Sequence, residues 1–400
     1  MRIEQIHLKN FKTFQNVTLK DLQPFTVLVG ANGSGKSTLF DVFGFLRDCL
    51  KDNVRSALAR RGGFREVATR GHSEETIEIE LKIRMPLKIG DRSSERTVTY
   101  QIEIGSQRGE VSVVKEQLRY TRFGGGQPYN FLRFENGVGE AIKNEADIVP
   151  GAQSADREVQ RLESPDILAI KGLGQFQRFE AASALRSLIE NWHVSDFHIS
   201  AARTVQDAGF AEHLSTQGEN LPLVARYLYE NHRELFDRIL KAMSERVPGV
   251  TAVEAQETAD GRIVLRFTDG SFKDPFIARY VSDGTIKMFA YLVLLNDPKA
   301  HPLLCVEEPE NQLYPDLLGS LAEEFATYSR RGGQVFVSTH SPDFLNEVPL
   351  DSIFWLRKQD GLTTVHRARD DQRLKAWIDG GERPGYLWRQ GAFEGAGPNA

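Results

Sequence analysis

The stretch Gly30-Ala31-Asn32-Gly33-Ser34-Gly35-Lys36-Ser37 fits G-x-x-x-x-G-K-[ST] at every position. Glycines at this spacing let the backbone curl until successive N–H groups point inward at phosphate oxygens. The helix that opens at the loop adds the positive end of its dipole. Lys36 then brings a mobile charge to the β- and γ-phosphates of a nucleotide, and the Ser37 hydroxyl can ligate Mg²⁺. Thr38, the next residue into the helix, completes this set of nucleotide-binding candidates.

Three further clusters could act on that nucleotide. Leu303-Leu304-Cys305-Val306-Glu307-Glu308-Pro309-Glu310 is an apolar strand ending in carboxylates. Crowded anions at the mouth of a buried strand are costly unless a cation or a proton transfer uses them. In a phosphate-loop protein the first carboxylate holds the Mg²⁺ shell and the second polarises water; a solvated strand end is the plainer reading. Val335-Phe336-Val337-Ser338-Thr339-His340 brings a histidine to the carboxyl edge of another buried strand, where parallel sheets present ligands. There His340 could donate to a γ-phosphate, although a lone histidine is commonly structural. Finally, Ser282-Asp283-Gly284-Thr285 starts an apolar helix roughly twenty residues before the acidic strand. Ser282 is a good N-cap in its own right.

These residues need elements to hold them. Ile3 to Leu19 reads as strand, turn, strand, and Phe25–Val29 as a strand buried on both faces, which suits a parallel sheet. Leu39, Val42, Phe43 and Leu46 give the following segment helical spacing. From Glu75 to about Ile142 the pattern alternates, as in Ile77-Glu-Ile79-Glu-Leu81-Lys-Ile83, with Gly105, Gly109 and Gly124–Gly126 as punctuation, which predicts an antiparallel sheet. Helices are expected over Ala181–Trp192 and, as one element, Leu221–Val247, then at Ser282–Leu295 and Leu317–Ser329. Strands at Leu303–Val306 and Val335–Thr339 and a closing strand pair follow. The parallel sheet is therefore drawn from both ends of the chain. The expected division is 1–150 as an N-terminal lobe with the phosphate loop and antiparallel subdomain, 151–250 as an inserted helical lobe, and 251–390 as a C-terminal lobe carrying Ser282, Glu307 and His340. Residues 391–400 form a Gly-rich tail expected to be flexible.

Composition sets the outer limits. With 400 residues, 40% hydrophobic and 26% charged, the chain is an ordinary globular one large enough for two or three domains. Its apolar runs are too short to cross a bilayer, and its first dozen residues lack a secretory apolar stretch. Two cysteines, Cys49 and Cys305, exclude a disulfide framework or a cysteine-rich zinc site and fit a cytoplasmic location. The net charge of -5 excludes a globally basic nucleic-acid coat. It leaves room for a local basic surface, for which Arg47, Lys51, Arg55, Arg60, Arg61, Arg65 and Arg70 are the candidates, so DNA stays open as a partner.

Taken in order along the chain, the clusters resemble the ABC-type ATPases of the RecF, SMC and Rad50 superfamily, and most of all the compact ATPases near the overcoming-lysogenisation-defect (OLD) proteins. The resemblance rests on Leu8-Lys-Asn-Phe11-Lys-Thr-Phe14, the phosphate loop, Ser282–Thr285, Glu307–Glu310 and Thr339-His340-Ser341-Pro342. It implies an α/β fold of the P-loop NTPase, ABC-ATPase type: a mostly parallel core sheet, an added antiparallel β-subdomain and an inserted helical lobe. It also implies ATP and Mg²⁺ as ligands and a homodimer, or a higher oligomer built on dimers, as the active unit. In that unit Lys36 and Ser37 of one subunit and Ser282 and Gly284 of the other close on one γ-phosphate. Glu307 would sit in the Mg²⁺ shell, Glu308 would activate water, His340 would be the switch histidine, and Glu310-Asn311-Gln312 would lie at the junction. Lys12–Phe14 would lie near the adenine or ribose. Glu307 stands where the family usually has aspartate, Ser-Asp-Gly-Thr departs from the transporter signature, and Gln153 and Gln175 compete as the lobe-linking glutamine.

Coiled-coil arms and a Cys-x-x-Cys hook, which long tethering machines carry, are lacking in this sequence. About sixty residues follow His340, fewer than a nuclease domain needs, so a nuclease or other effector is expected from a partner protein. The implied role is DNA repair or anti-phage defence. The alternative is a slowly hydrolysing, nucleotide-gated scaffold that holds an effector.

Overall fold

The computed structural model describes residues 1–89, 92–120, 129–143, 156–394 and 396. Gly124–Gly126, Gln153 and the 150/151 lobe boundary lie outside the described residues. The chain opens with β1 (Arg2–Phe11), β2 (Phe14–Leu19) and β3 (Phe25–Val29), then α1 (Lys36–Lys51), α2 (Val54–Ala59) and α3 (Phe64–Val67). The strands β4 (Ile77–Ile89), β5 (Arg92–Gln107), β6 (Glu110–Tyr120), β7 (Tyr129–Glu135), β8 (Val138–Ile142) and β9 (Arg157–Arg161) follow. The middle of the chain holds α4 (Ala169–Leu173), α5 (Glu180–Glu190), β10 (His193–Ser195), α6 (Ile199–Ala202), β11 (Gln206–Asp207), α7 (Leu221–Asn231) and α8 (Arg233–Arg246). Next come β12 (Val250–Glu257), β13 (Arg262–Asp269), β14 (Phe276–Ile277), α9 (Asp283–Leu295), β15 (Leu303–Glu307), α10 (Asp316–Arg330) and β16 (Gln334–Thr339). The last elements are α11 (Pro342–Leu345), β17 (Ile353–Gln359), β18 (Leu362–Arg367), α12 (Gln372–Asp379) and α13 (Pro384–Arg389).

Among the described residues the strands form three sheets. The core sheet has the order β10-β15-β16-β3-β17-β18 and is parallel except for β18, which returns antiparallel to β17. Its central strands β3 and β16 are buried along their whole length, as a sheet covered on both faces requires. The second sheet, β2-β1-β4-β5-β6-β7-β8-β9, is antiparallel, and its alternating pattern sends Ile77, Ile79, Leu81 and Ile83 inward. One continuous apolar cluster joins that face to α1 through Leu39, Phe43 and Leu46. A second cluster covers the other face of the core sheet with α9, α10 and α8. A small third sheet holds β11 to β14.

The expected single helix over Leu221–Val247 is two helices. His232, at φ -136 and ψ 52, leaves the helical region and separates α7 from α8. A second difference is β10, three residues that pair in parallel with β15 and so bring the middle of the chain into the core sheet. In the C-terminal tail, Phe393 is fully buried, edge-on to Trp355.

Candidate functional site

The phosphate loop leaves the carboxyl end of β3. At Gly30 a Cβ would lie 2.6 Å from the Leu356 carbonyl oxygen and from Ser34 Oγ, so only glycine fits there. Gly33 and Gly35 take left-handed φ values of 74 and 106, which let the loop close before α1 begins. Lys36 is 5% exposed, and its ammonium donates to the carbonyls of Gly30 at 2.8 Å and Ala31 at 3.1 Å. Burial pushes it down to about 8, against the pull of Glu308, Glu310 and Glu307. Asn32, Gly33 and Ser37 are exposed at the loop's outer face, and Ala31 and Thr38 are half-buried.

Glu307 ends β15 beside this loop. Ser37 Oγ donates to Glu307 Oε2 at 2.5 Å, so a hydroxyl and a carboxylate oxygen from opposite ends of the chain converge on one point. Burial raises the Glu307 carboxyl above its usual range, and Asp196 and Glu308 add to this while Ser37 and Lys36 oppose it. This donor set, two hard oxygens beside a buried ammonium, suits Mg²⁺ chemically.

Glu308 turns the opposite way. Its φ of 43 is left-handed, which takes its side chain off the strand, while its N–H donates to the Ser338 carbonyl at 2.9 Å. Its Oε1 lies 2.8 Å from His340 Nε2, a contact that falls short of an aligned hydrogen bond. Its Oε2 accepts from Asn311 Nδ2 at 3.0 Å. Burial pushes the Glu308 carboxyl up, but Asn311, His340 and Lys36 outweigh this and hold it below the usual range. Two adjacent carboxyls are thus driven in opposite directions, a hallmark of groups with separate tasks. Glu310 Oε1 fixes the turn after β16 by accepting from Thr339 Oγ1 at 2.8 Å and the His340 N–H at 2.6 Å.

Ser282 caps α9, accepting the Thr285 N–H at 3.2 Å, and the neighbouring Asp283 pairs with Arg203 at 2.6 Å. A Cβ on Gly284 would lie 2.9 Å from the Gln312 carbonyl oxygen, so the helix start packs tightly on the loop that follows Glu308. Lys287, buried one turn further on, donates to the Asn311 carbonyl at 2.6 Å and is pushed by burial to about 8. Ala31, Asn32, Glu308, His340, Pro342, Trp388 and Arg389 line a cleft of about 710 Å³ beside the phosphate loop. Lys36, Ser37, Glu307, Ser282 and Gly284 are not among its lining residues. One chain gathers the phosphate loop, Glu307, Glu308 and His340, with the serine-capped helix start packed against the loop that follows Glu308.

Other sequence readings land in various places. Phe14 is fully buried, so its ring is closed to a base, and Lys12 pairs with Asp41 at 2.6 Å near the start of α1. Gln175 donates to the Lys171 carbonyl within its own turn. In the basic stretch, Arg61 bridges Asp41 and Asp48, Arg60 pairs with Asp52, Arg70 with Glu66 and Arg55 with Asp166, while Arg47 donates to the Trp192 carbonyl. Much of that charge is spent inside the protein. Sequence reasoning missed Thr363 of β18, which donates to the Ser34 carbonyl at 2.8 Å and stands 2.8 Å from any Cβ at Gly35. It also missed Trp388 and Arg389. Neither carries a local motif that could have flagged it.

Residues 25–346 match the family described as "AAA domain, putative AbiEii toxin, Type IV TA system". The chain belongs to that family of ABC-type ATPases. It falls in the RecF, SMC and Rad50 class, near the OLD proteins. Among curated proteins it is 43% identical over 67 residues to a chromosome partition protein Smc of Methanococcus voltae, covering 17% of this chain and 5% of that one. It is 23% identical over 202 residues to the Old nuclease of Escherichia phage P2, covering 40% of this chain and 34% of the nuclease. The chain thus spans only a minor part of the curated relatives it matches. Among solved structures, an Smc head bound to the C-winged helix domain of ScpA aligns at TM-score 0.53 and 16% identity, covering 92% of this chain and 97% of that one. An Smc head with an extended coiled coil, bound to the C-terminal domain of ScpA derived from Pyrococcus furiosus, aligns at 0.50 and 14%, covering 94% and 99%. The ABC-ATPase fold is that of an Smc head. Among the described residues, no helix is long and apolar enough to cross a membrane.

Proposed function

We propose that the chain binds and hydrolyses ATP with Mg²⁺ in the cytoplasm, as a nucleotide-gated homodimer that controls a partner effector in DNA repair or anti-phage defence. The observation that carries the catalytic part is the meeting of Ser37 with Glu307 at 2.5 Å beside Glu308 and His340 at 2.8 Å, all against the Lys36 loop. Gly30 to Ser37, with Thr38, cradle the triphosphate through backbone N–H groups, and Lys36 leaves its carbonyl partners for the β- and γ-phosphates. Ser37 and Glu307 would hold Mg²⁺, whose bound charge offsets that developing on the phosphates. Glu308, kept ionised, accepts a proton from the attacking water, and His340 orients that carboxylate and senses the γ-phosphate. Ser282 and Gly284 of the second protomer close the site.

One feature favours closure in trans. Tyr280 and Tyr314, on either side of the packed Gly284–Gln312 junction in sequence, are 73% and 68% exposed, large rings that a partner surface would cover. The effector itself, a nuclease for instance, would dock on this dimer, as would any DNA.

A single-turnover assay with enzyme in excess over ATP tests the reading. One-step conversion to ADP, lost in Lys36→Ala, is expected. Binding without conversion would favour the rival scaffold, in which Glu307 holds metal but turnover is negligible.

A further inference from the structure

β15 runs toward Glu307, so the residues just before Leu303 lie at the opposite end of the strand from the phosphate loop. There Asp297, two positions past the end of α9, and His301 meet His213 from the segment between β11 and α7. One ligand atom of each lies within 4.8 Å of the other two. His213 Nδ1 is 2.7 Å from Asp297 Oδ2, and His301 Nε2 is 4.0 Å from the same oxygen. The Asp297 side chain is only 3% exposed.

The His301 ring is fixed by contacts on two sides. Its Nδ1 lies 3.2 Å from the Asn191 carbonyl, which can only accept, so Nδ1 carries the proton and Nε2 faces Asp297. This second contact is how proteins orient a ligating imidazole. His193 stacks on the same ring, with centroids 4.7 Å apart. Yet His301 Nε2 is buried with no hydrogen-bond partner among the described residues. An ordinary His–Asp pair accounts for His213 but leaves that nitrogen unmatched, and buried polar atoms are rarely left so.

We propose that His213, Asp297 and His301 bind a divalent transition-metal ion of the zinc class. Two imidazoles and one carboxylate are a borderline-soft set that zinc accepts, with the fourth position left for water. Bonds of about 2.0–2.2 Å at tetrahedral angles put ligand atoms roughly 3.4 Å apart. The observed 2.7 and 4.0 Å bracket that spacing, so small side-chain rotations assemble the site. A pocket of about 300 Å³ lined in part by His213, His301, Asn191 and Lys299 gives the ion an entry path. Bound there, it ties the segment before α7 to the turn joining α9 and β15, the elements that present Ser282 and Glu307. The site is separate from the nucleotide cleft, and the inference does not depend on ATP hydrolysis.

The test uses the whole 400-residue chain, stripped with chelator and titrated with ZnCl₂ and, separately, CoCl₂. Calorimetry and elemental analysis after gel filtration should give one zinc per chain and a raised Tm. Both effects should vanish in His301→Ala and Asp297→Asn and persist in His198→Ala, an exposed histidine outside the cluster. Cobalt should give the intense visible bands of four-coordinate geometry in the parent protein, a readout that needs no variant to fold. Zinc that washes off the parent, binding that survives His301→Ala, or a cobalt spectrum matching the aquo ion would each overturn the site.

Discussion

The charge on Lys36 should fail within reach of ordinary buffers. Burial, which leaves it 5% exposed, pushes the ammonium down to about 8, well below the usual 10.5, against the opposing pull of Glu308, Glu310 and Glu307. A depressed lysine is charged below that value and neutral above it, so the loop is ready for a triphosphate at pH 7 and largely uncharged at pH 9. If only the ammonium form binds, apparent Kd scales with one plus the ratio of neutral to charged lysine. That ratio predicts affinity about tenfold weaker at pH 9 than at pH 7. Titration with a fluorescent ATP analogue at constant Mg²⁺, from pH 6.5 to 9.5, reads the curve directly. Lys36→Met should bind weakly with no such slope, since it carries no charge at any pH. A parent profile that stays flat to pH 9.5, or an equal fall in Lys36→Met, would refute the assignment of the slope to this ammonium.

Other consequences concern separate parts of the protein. Glu308→Gln should cut steady-state turnover by roughly 10²–10⁴ while ATP binding is retained, read by phosphate release and equilibrium binding; turnover at the parent rate would contradict its role as water activator. Ser282→Arg should abolish turnover but leave nucleotide binding to the phosphate loop near the parent value; equal loss of both would show that Ser282 serves only its own helix. Glu116, fully buried, is lifted by burial to about 7, even though it accepts the Ile170 and Ala169 N–H groups and the Tyr100 hydroxyl. A raised carboxyl favours folding in its protonated form, so that stability is complete below about 4.5 and is lost as pH rises through 7. At roughly 1.4 kcal/mol per pKa unit, Glu116→Gln should gain about 3 kcal/mol on the parent between those limits. Urea unfolding of both proteins at pH 5 and 8.5 measures this, and a pH-independent gap would contradict it.

What was legible in the sequence was what short spacing determines. The glycine loop, the buried runs Phe25–Val29 and Val335–Thr339 and the alternation of Ile77–Ile83 each fix a local conformation, and the core sheet is drawn from both ends of the chain as their order implies. Legibility ended where long-range pairing decides. Thr363 reaches the phosphate loop only because β18 returns alongside β17, and β10 is too short to carry a strand pattern of its own. The break at His232 was hidden because apolar helical spacing continues on both sides of it. The opposed environments of Glu307 and Glu308 depend on one left-handed residue that no side-chain type announces. The cluster of His213, Asp297 and His301 spans too much sequence for any motif.

The composite site is tested most directly by mixing two inactive proteins, Lys36→Ala and Ser282→Arg. In a mixed dimer one site combines both defects, while the other joins an intact phosphate loop to an intact Ser282. Random pairing makes half of the dimers mixed, so ATPase activity should recover to about a quarter of the parent value if sites act independently. Activity that stays at the level of the separate variants, in a mixture shown to exchange subunits, would contradict a nucleotide site shared between two copies.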